Sequence, residues 1–207
     1  RCRPTACYGA RTSRCPASAG GGDTTVQNLY FEGTLTADSN AVNVAGDFTN
    51  AGTFTSADSS TITLNGSAAQ TFTTNSAAYG NVTLNNSGAD GTTDNVTISG
   101  ALDVNGTFNV TNGDLYLTTN NPNISTSGNV SIGSSAFVTK GTGTWTFDNG
   151  STTTWTDSTS GQDLGTVVVN GTSKTLNLAS SVMATKLTIE SDDTLGLGSS
   201  GYVLTLT

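Results

Sequence analysis

The chain has 207 residues, a formal net charge of −8, no His, and only 11% charged residues against 34% hydrophobic ones. All four Arg lie within residues 1–22, so Lys140, Lys174 and Lys186 face fifteen acids in the remainder, a net of 3 − 15 = −12. An acidic body with three scattered lysines lacks the clustered cations that nucleic acids and anionic membranes require, and no apolar run reaches the roughly 18 residues of a membrane-spanning helix.

Residues 1–25 read as an irregular head with a flexible linker. They hold Cys2, Cys7 and Cys15, Pro4 and Pro16, then Ala19-Gly20-Gly21-Gly22. Three Cys with no His do not make a zinc site; a disulfide with one thiol spare for another chain is the alternative. The body, 26–207, has no Cys, few Lys and abundant Thr and Asn. That composition points to an extracellular or cell-surface location.

The body consists of short alternating segments. Strands are expected at 28–32, 34–36, 41–44, 53–55, 61–64, 70–73, 81–85 and 95–98. They continue at 101–104, 107–110, 114–117, 123–125, 129–132, 136–139, 144–147 and 153–156. The last are 166–169, 174–178, 182–183, 186–189, 194–197 and 202–206. In Ile62 and Leu64, or Val82 and Leu84, the apolar side chains share one face, while Thr or Asn takes the other. Thr suits these strands because its branched β-carbon packs on a pleated surface. Gly-containing turns fall at Asn65-Gly66, Asn105-Gly106, Asn112-Gly113 and Asn170-Gly171. No segment carries a helical period with caps.

Two degenerate repeats of roughly eighty residues organise the body. Gly46-Asp47-Phe48 answers to Gly128-Asn129-Val130, and Thr61-Ile62-Thr63-Leu64 to Thr144-Trp145-Thr146-Phe147. Phe72 answers to Trp155, Gly80-Asn81-Val82 to Gly165-Thr166-Val167, and Phe108-Asn109-Val110 to Leu187-Thr188-Ile189. A hairpin sandwich is the competing architecture. Strands of three to five residues, with apolar patches near every ten, favour an all-β parallel β-solenoid of roughly nine coils, about 20 residues each.

The text from Ile62 to Phe72, Tyr79 to Gly88 and Val96 to Val110 resembles the right-handed β-helix repeats of bacterial and archaeal surface proteins, among them adhesins and autotransporter passengers. That resemblance implies a right-handed parallel β-helix and a surface location. It is a repeat grammar and implies no catalytic motif.

Candidate functional residues follow. The strand-like Leu29, Tyr30 and Phe31 near one end, and Tyr202, Val203, Leu204, Thr205, Leu206 and Thr207 at the other, are candidate self-association edges, where head-to-tail pairing would grow a homopolymer. Sequons for N-glycosylation fall at Asn65, Asn81, Asn85, Asn95, Asn105, Asn109, Asn123, Asn129, Asn149 and Asn170. Asp192-Asp193, with Glu190 nearby, is the adjacent acidic pair, and its place between strands favours a turn over catalysis or metal binding. Trp145, Trp155, Phe147, Phe72 and Phe137 are expected in the core; two of them outside would suggest a sugar platform. Thr-x-Thr triplets at 34–36, 53–55, 61–63, 71–73, 144–146 and 205–207 are the pattern of an ice-binding face, if ranked on one flat surface.

The leading expectation is a non-enzymatic, self-associating structural solenoid: a stalk, filament, surface layer or adhesin. No cofactor, nucleic acid or membrane insertion is expected; surface glycans are possible partners. A carbohydrate-binding or carbohydrate-cleaving β-helix is the alternative, and an ice-binding solenoid the third.

Overall fold

The computed structural model describes residues 24–91, 93–149, 151–159, 161–198 and 200–207. Cys2, Cys7 and Cys15 lie outside the described residues. The fold is a parallel β-solenoid of about eight turns, close to the nine expected, with no helix among the described residues.

The turns wind around three faces, most with one strand on each; between Asp157 and Thr166 the second face holds only the isolated bridge of Asp163 to Met183. The first turns are β1 (Thr24–Val26), β2 (Leu29–Phe31), β3 (Thr34–Asp38); β4 (Ala41–Val44), β5 (Phe48–Asn50), β6 (Thr53–Ser56); and β7 (Thr61–Leu64), β8 (Gln70–Thr73), β9 (Ala78–Tyr79). The fourth is β10 (Asn81–Asn85), β11 (Asn95–Ser99), β12 (Leu102–Val104). In the next two, one bent strand serves the first and second faces: β13 (Phe108–Tyr116) with β14 (Ile124–Thr126), then β15 (Val130–Thr139) with β16 (Thr144–Asp148). The remainder is β17 (Thr152–Asp157), β18 (Thr166–Asn170), β19 (Thr175–Leu178), β20 (Val182–Ala184), β21 (Lys186–Ile189), β22 (Thr194–Gly196) and β23 (Leu204–Leu206).

Parallel register makes columns of like residues. On the first face Val42, Ile62, Val82, Phe108, Val130, Trp155 and Leu178 stack inward in one line. Beside them run Val26, Val44, Leu64, Leu84, Val110 and Ile132. Between the two lines Asn43, Thr63, Thr83, Asn109, Ser131 and Thr156 point outward. The alternation read from the sequence is therefore the in/out alternation of each face. The Asn-Gly pairs make no hairpins; Asn112-Gly113 lies within β13, where Gly113 (φ 84) takes the bend between faces. A Cβ there would also meet the Asp94 carbonyl at 2.8 Å.

The repeated stretches lie one face apart. Thr61–Leu64 is on the first face, whereas Thr144–Asp148 is on the third; Phe72 is on the second and Trp155 on the first. The likeness is between strand units that each present two inward side chains, and such a unit fits any face.

Trp145, Trp155, Phe147 and Phe72 are buried as expected, but Phe137 is 54% exposed. The expectation for Phe137 fails because the inward positions of β15 are Val130, Ile132, Ala136 and Val138, and Phe137 falls on the alternate, outward set. Phe48 and Phe72 meet edge to face at 4.9 Å, and Phe54 stacks on Tyr79 at 4.6 Å. Buried polar side chains close the corners. Gln70 Nε2 donates to the Val44 carbonyl (2.9 Å), and its Oε1 accepts from Gly66 N–H (2.9 Å) and the Asn86 amide (3.1 Å). Asp157 stands where the Val26–Ile132 line would continue, and it accepts from Thr159, Gly161 and Gln162 N–H groups at 2.7–3.0 Å.

Phe72→Ala should cost about 3–5 kcal/mol, because a thin core between stacked turns cannot collapse around the cavity. Thr71→Ala, on the outward side of the same strand, should stay within about 0.5 kcal/mol. Chemical unfolding of both variants checks the inward and outward assignments.

Candidate functional site

The first-face to second-face corner of the fourth turn carries the longest excursion in the stack. Val82 to Phe108 spans 108 − 82 = 26 residues, against 82 − 62 = 20 from Ile62 to Val82. The extra length is the loop between β10 and β11. Asn86 anchors its start by donating to the Ala68 carbonyl (2.7 Å) and accepting from Gly88 N–H (2.9 Å). Ala89 and Thr93 close it on themselves through N–H···O bonds of 2.7 and 3.0 Å.

This closure brings three carboxylates together. Asp90 is exposed on the loop, and Asp94 is buried at its end. Asp114 stands on β13 of the next turn, and its N–H donates to the Asp94 carbonyl at 3.1 Å. One carboxylate oxygen of each lies within 4.8 Å of the others. They border an open cavity of about 320 Å³ with Asn112, Ser135 and Phe137. The register explains the last two: Asn112 pairs with Ser135 and Asp114 with Phe137, one turn on. Burial pushes the Asp114 carboxyl up, and the charges of Asp94 and Asp90 add to the rise. Sequence reasoning missed this cluster. Asp90 and Asp94 are close in the chain, but Asp114 reaches them only through the stacking of turns.

The sequence-derived candidates lie elsewhere. Asp192 and Asp193 are turn residues: Asp193 accepts from Gly171 N–H (3.0 Å) and Lys174 N–H (2.8 Å), and Asp192 from Ser173 N–H (3.2 Å). At one end Leu29 and Phe31 pack on the core while Tyr30 is 57% exposed. At the other, Tyr202 and Leu204 pack inward, and Val203, Thr205, Leu206 and Thr207 are exposed. Among the sequons, Asn85, Asn105, Asn123, Asn129, Asn149 and Asn170 are exposed, and Asn65, Asn81, Asn95 and Asn109 half-buried. The Asn81 amide is committed to the Asp58 and Ser60 carbonyls, both at 3.0 Å, which a glycan would disrupt. The Thr-x-Thr triplets scatter over all three faces; Thr34 and Thr36 stack on Thr53 and Thr55 for one step only, since the third-face strand that follows is Ala78–Tyr79.

Two lysines are structural. Lys174 is wholly buried, and its Nζ donates to the carbonyls of Ser127 (3.0 Å) and Asp148 (2.6 Å). Burial pulls its pKa down, opposed by the charges of Asp148 and Asp193. Lys140 pairs with Asp163, whose Oδ2 also accepts from Thr207 (2.9 Å) and Thr185 (3.1 Å). Comparison with protein-family models, curated proteins and solved structures found no match to this chain.

For Asp163, burial pushes the pKa up, but the bonds from Lys140, Gly165 N–H, Thr207 and Thr185 outweigh it and hold the group below 3.8. A carboxyl with a depressed folded-state pKa stabilises the fold above its unfolded value and loses that contribution as pH falls through the folded one. Asp163→Asn should therefore cost about 1–2 kcal/mol at pH 6.5, discounted for the half-exposed Lys140, and the gap should narrow well below pH 3.8. Urea unfolding of both proteins at the two pH values measures this.

Proposed function

We propose that this protein is an extracellular structural β-solenoid of the kind found in stalks, filaments and adhesive cell-surface proteins, and that its turns continue from one copy to the next. The observation that carries the reading is the pairing at the two ends. Among the described residues, strands β1, β2 and β3 pair with β4, β5 and β6 on one side, and β21, β22 and β23 with β18, β19 and β20. The outermost described strands thus share the same three-face arrangement and the same parallel sense, which is the geometry for heterologous, head-to-tail addition. Exposed Val203 and Leu206 would gain cover from such a neighbour. The exported-type composition and the Thr- and Asn-rich skin support the surface location. The role is mechanical: ladder hydrogen bonds carry load along the axis, and the outer columns keep the rod hydrated.

Electron microscopy of the purified chain over a concentration series should show rods with an axial repeat on the order of 40 Å, from about eight turns at ~4.8 Å. Monomers at every concentration, by microscopy and sedimentation, would overturn end-to-end assembly.

One observation favours glycan binding as a second reading: Phe137 lies exposed beside the acidic cavity, where an aromatic face can stack on a sugar ring. Under that reading Phe137→Ala lowers retention on immobilised polysaccharides severalfold, without a change in unfolding temperature.

A further inference from the structure

The acidic corner has a property that acids at ordinary turns lack. Asp157, Asp163, Asp192 and Asp193 accept hydrogen bonds from the backbone around them. Asp94 is 95% buried (5% exposed), and its Oδ1 has no hydrogen-bond partner. A buried carboxylate oxygen without a donor is costly, and two further carboxylates beside it raise the cost by repulsion. Among the described residues no Lys pairs with it: Lys140 is paired with Asp163 and Lys174 with main-chain carbonyls. The arrangement calls for positive charge that the described residues do not supply.

We propose that Asp90, Asp94 and Asp114 form a binding site for one divalent cation of the calcium class, which fastens the β10–β11 loop to the following turn. The donor set is all oxygen, with no His or Cys, which selects hard cations over zinc or copper. The three oxygens lie within 4.8 Å of one another, inside the roughly 4.6–5.2 Å that one calcium ion can bridge at about 2.3–2.6 Å per bond. An open, irregular all-oxygen site suits calcium's flexible coordination better than the strict octahedron and tightly held water of magnesium. Asn112 and Ser135 line the same cavity and offer neutral oxygens, and the open side admits water to complete six to eight ligands. Phe137 forms an apolar wall against Asp114, which thins the water around the ion and strengthens its attraction to the carboxylates.

The site joins two turns. Asp90 and Asp94 belong to the loop of the fourth turn and Asp114 to the fifth, so a bound ion closes the one corner where the chain departs furthest from the stack. Binding would raise thermal stability and make the rod's integrity depend on calcium outside the cell. This inference stands apart from end-to-end assembly: a calcium site in a monomer leaves it intact, and filaments without calcium binding leave the assembly reading intact.

The test is calorimetric titration of calcium chloride into the chelator-treated full chain, with thermal unfolding at matched calcium and magnesium concentrations. One ion per chain is expected, with a higher unfolding temperature in calcium and a much smaller shift in magnesium. Asp94→Asn should weaken binding at least tenfold and, by removing repulsion, unfold no earlier than wild type without metal. Asp90→Asn, at an exposed loop position, should weaken binding without disturbing the fold and serves if Asp94→Asn fails to fold. Absence of heat and of a temperature shift at millimolar calcium would overturn the proposal. So would binding that both substitutions leave unchanged, since calcium would then reside elsewhere on the acidic surface.

Discussion

Register between successive turns is the constraint on which everything else in this molecule depends. Each internal strand donates to and accepts from the strands on both sides, as Asn81 N–H donates to Ser60 of the turn before and Val82 N–H to Thr107 of the turn after, so residues align in columns that run the length of the rod. A column tolerates a narrow range of chemistry: inward positions carry Val, Ile, Leu, Phe or Trp, and outward positions Thr, Ser or Asn. A slip of one residue would turn a whole strand inside out. The low charge follows from the same geometry, since like charges stacked about 4.8 Å apart on adjacent turns repel.

Corners are where this regularity has to be negotiated. The chain leaves one face and enters the next there, and main-chain groups lose their ladder partners. Gln70, Asn86, Asp157 and the buried Lys174 supply donors and acceptors inside the fold. Asn28, Asp47, Asn81, Asn123 and Asn129 do the same from outside, each accepting from an N–H one turn on. The abundance of Asn is thus partly a structural demand, and it bears on the sequons: an amide that ties one turn to another, as at Asn81, is not free to carry a glycan.

The acidic loop inverts this logic. Gln70, Asn86 and Asp157 satisfy the backbone at their corners; at Asp94 a buried carboxylate oxygen finds no donor among the described residues, and Asp90 and Asp114 add charge of the same sign. The cluster sits at the longest excursion of the chain, next to the one large aromatic side chain that the bent β15 turns outward. Cation closure of that corner and strand pairing at the ends would be two independent ways for a rod of weak individual contacts to gain integrity along its axis.

Much of the fold was legible in the sequence because a solenoid is nearly one-dimensional. Alternating short segments such as Thr61–Leu64 and Asn81–Asn85 state their own strand and their own inward pair, and their repetition implies stacking. Face assignment was not legible: the text of Thr61–Leu64 and of Thr144–Asp148 is alike, yet the two lie on different faces, since loop lengths set the phase around the axis. Phe137 stands outside because the small Ala136 and the Val138 take the inward positions of that segment, and aromatic character alone does not place a side chain in the core. The candidate cation site belongs wholly to tertiary structure. Asp94 and Asp114 are twenty residues apart (114 − 94 = 20), a separation that means nothing along the chain and one step along the stack. Local pattern determined that the chain forms stacked parallel strands; only the phase of each turn decided which side chains meet.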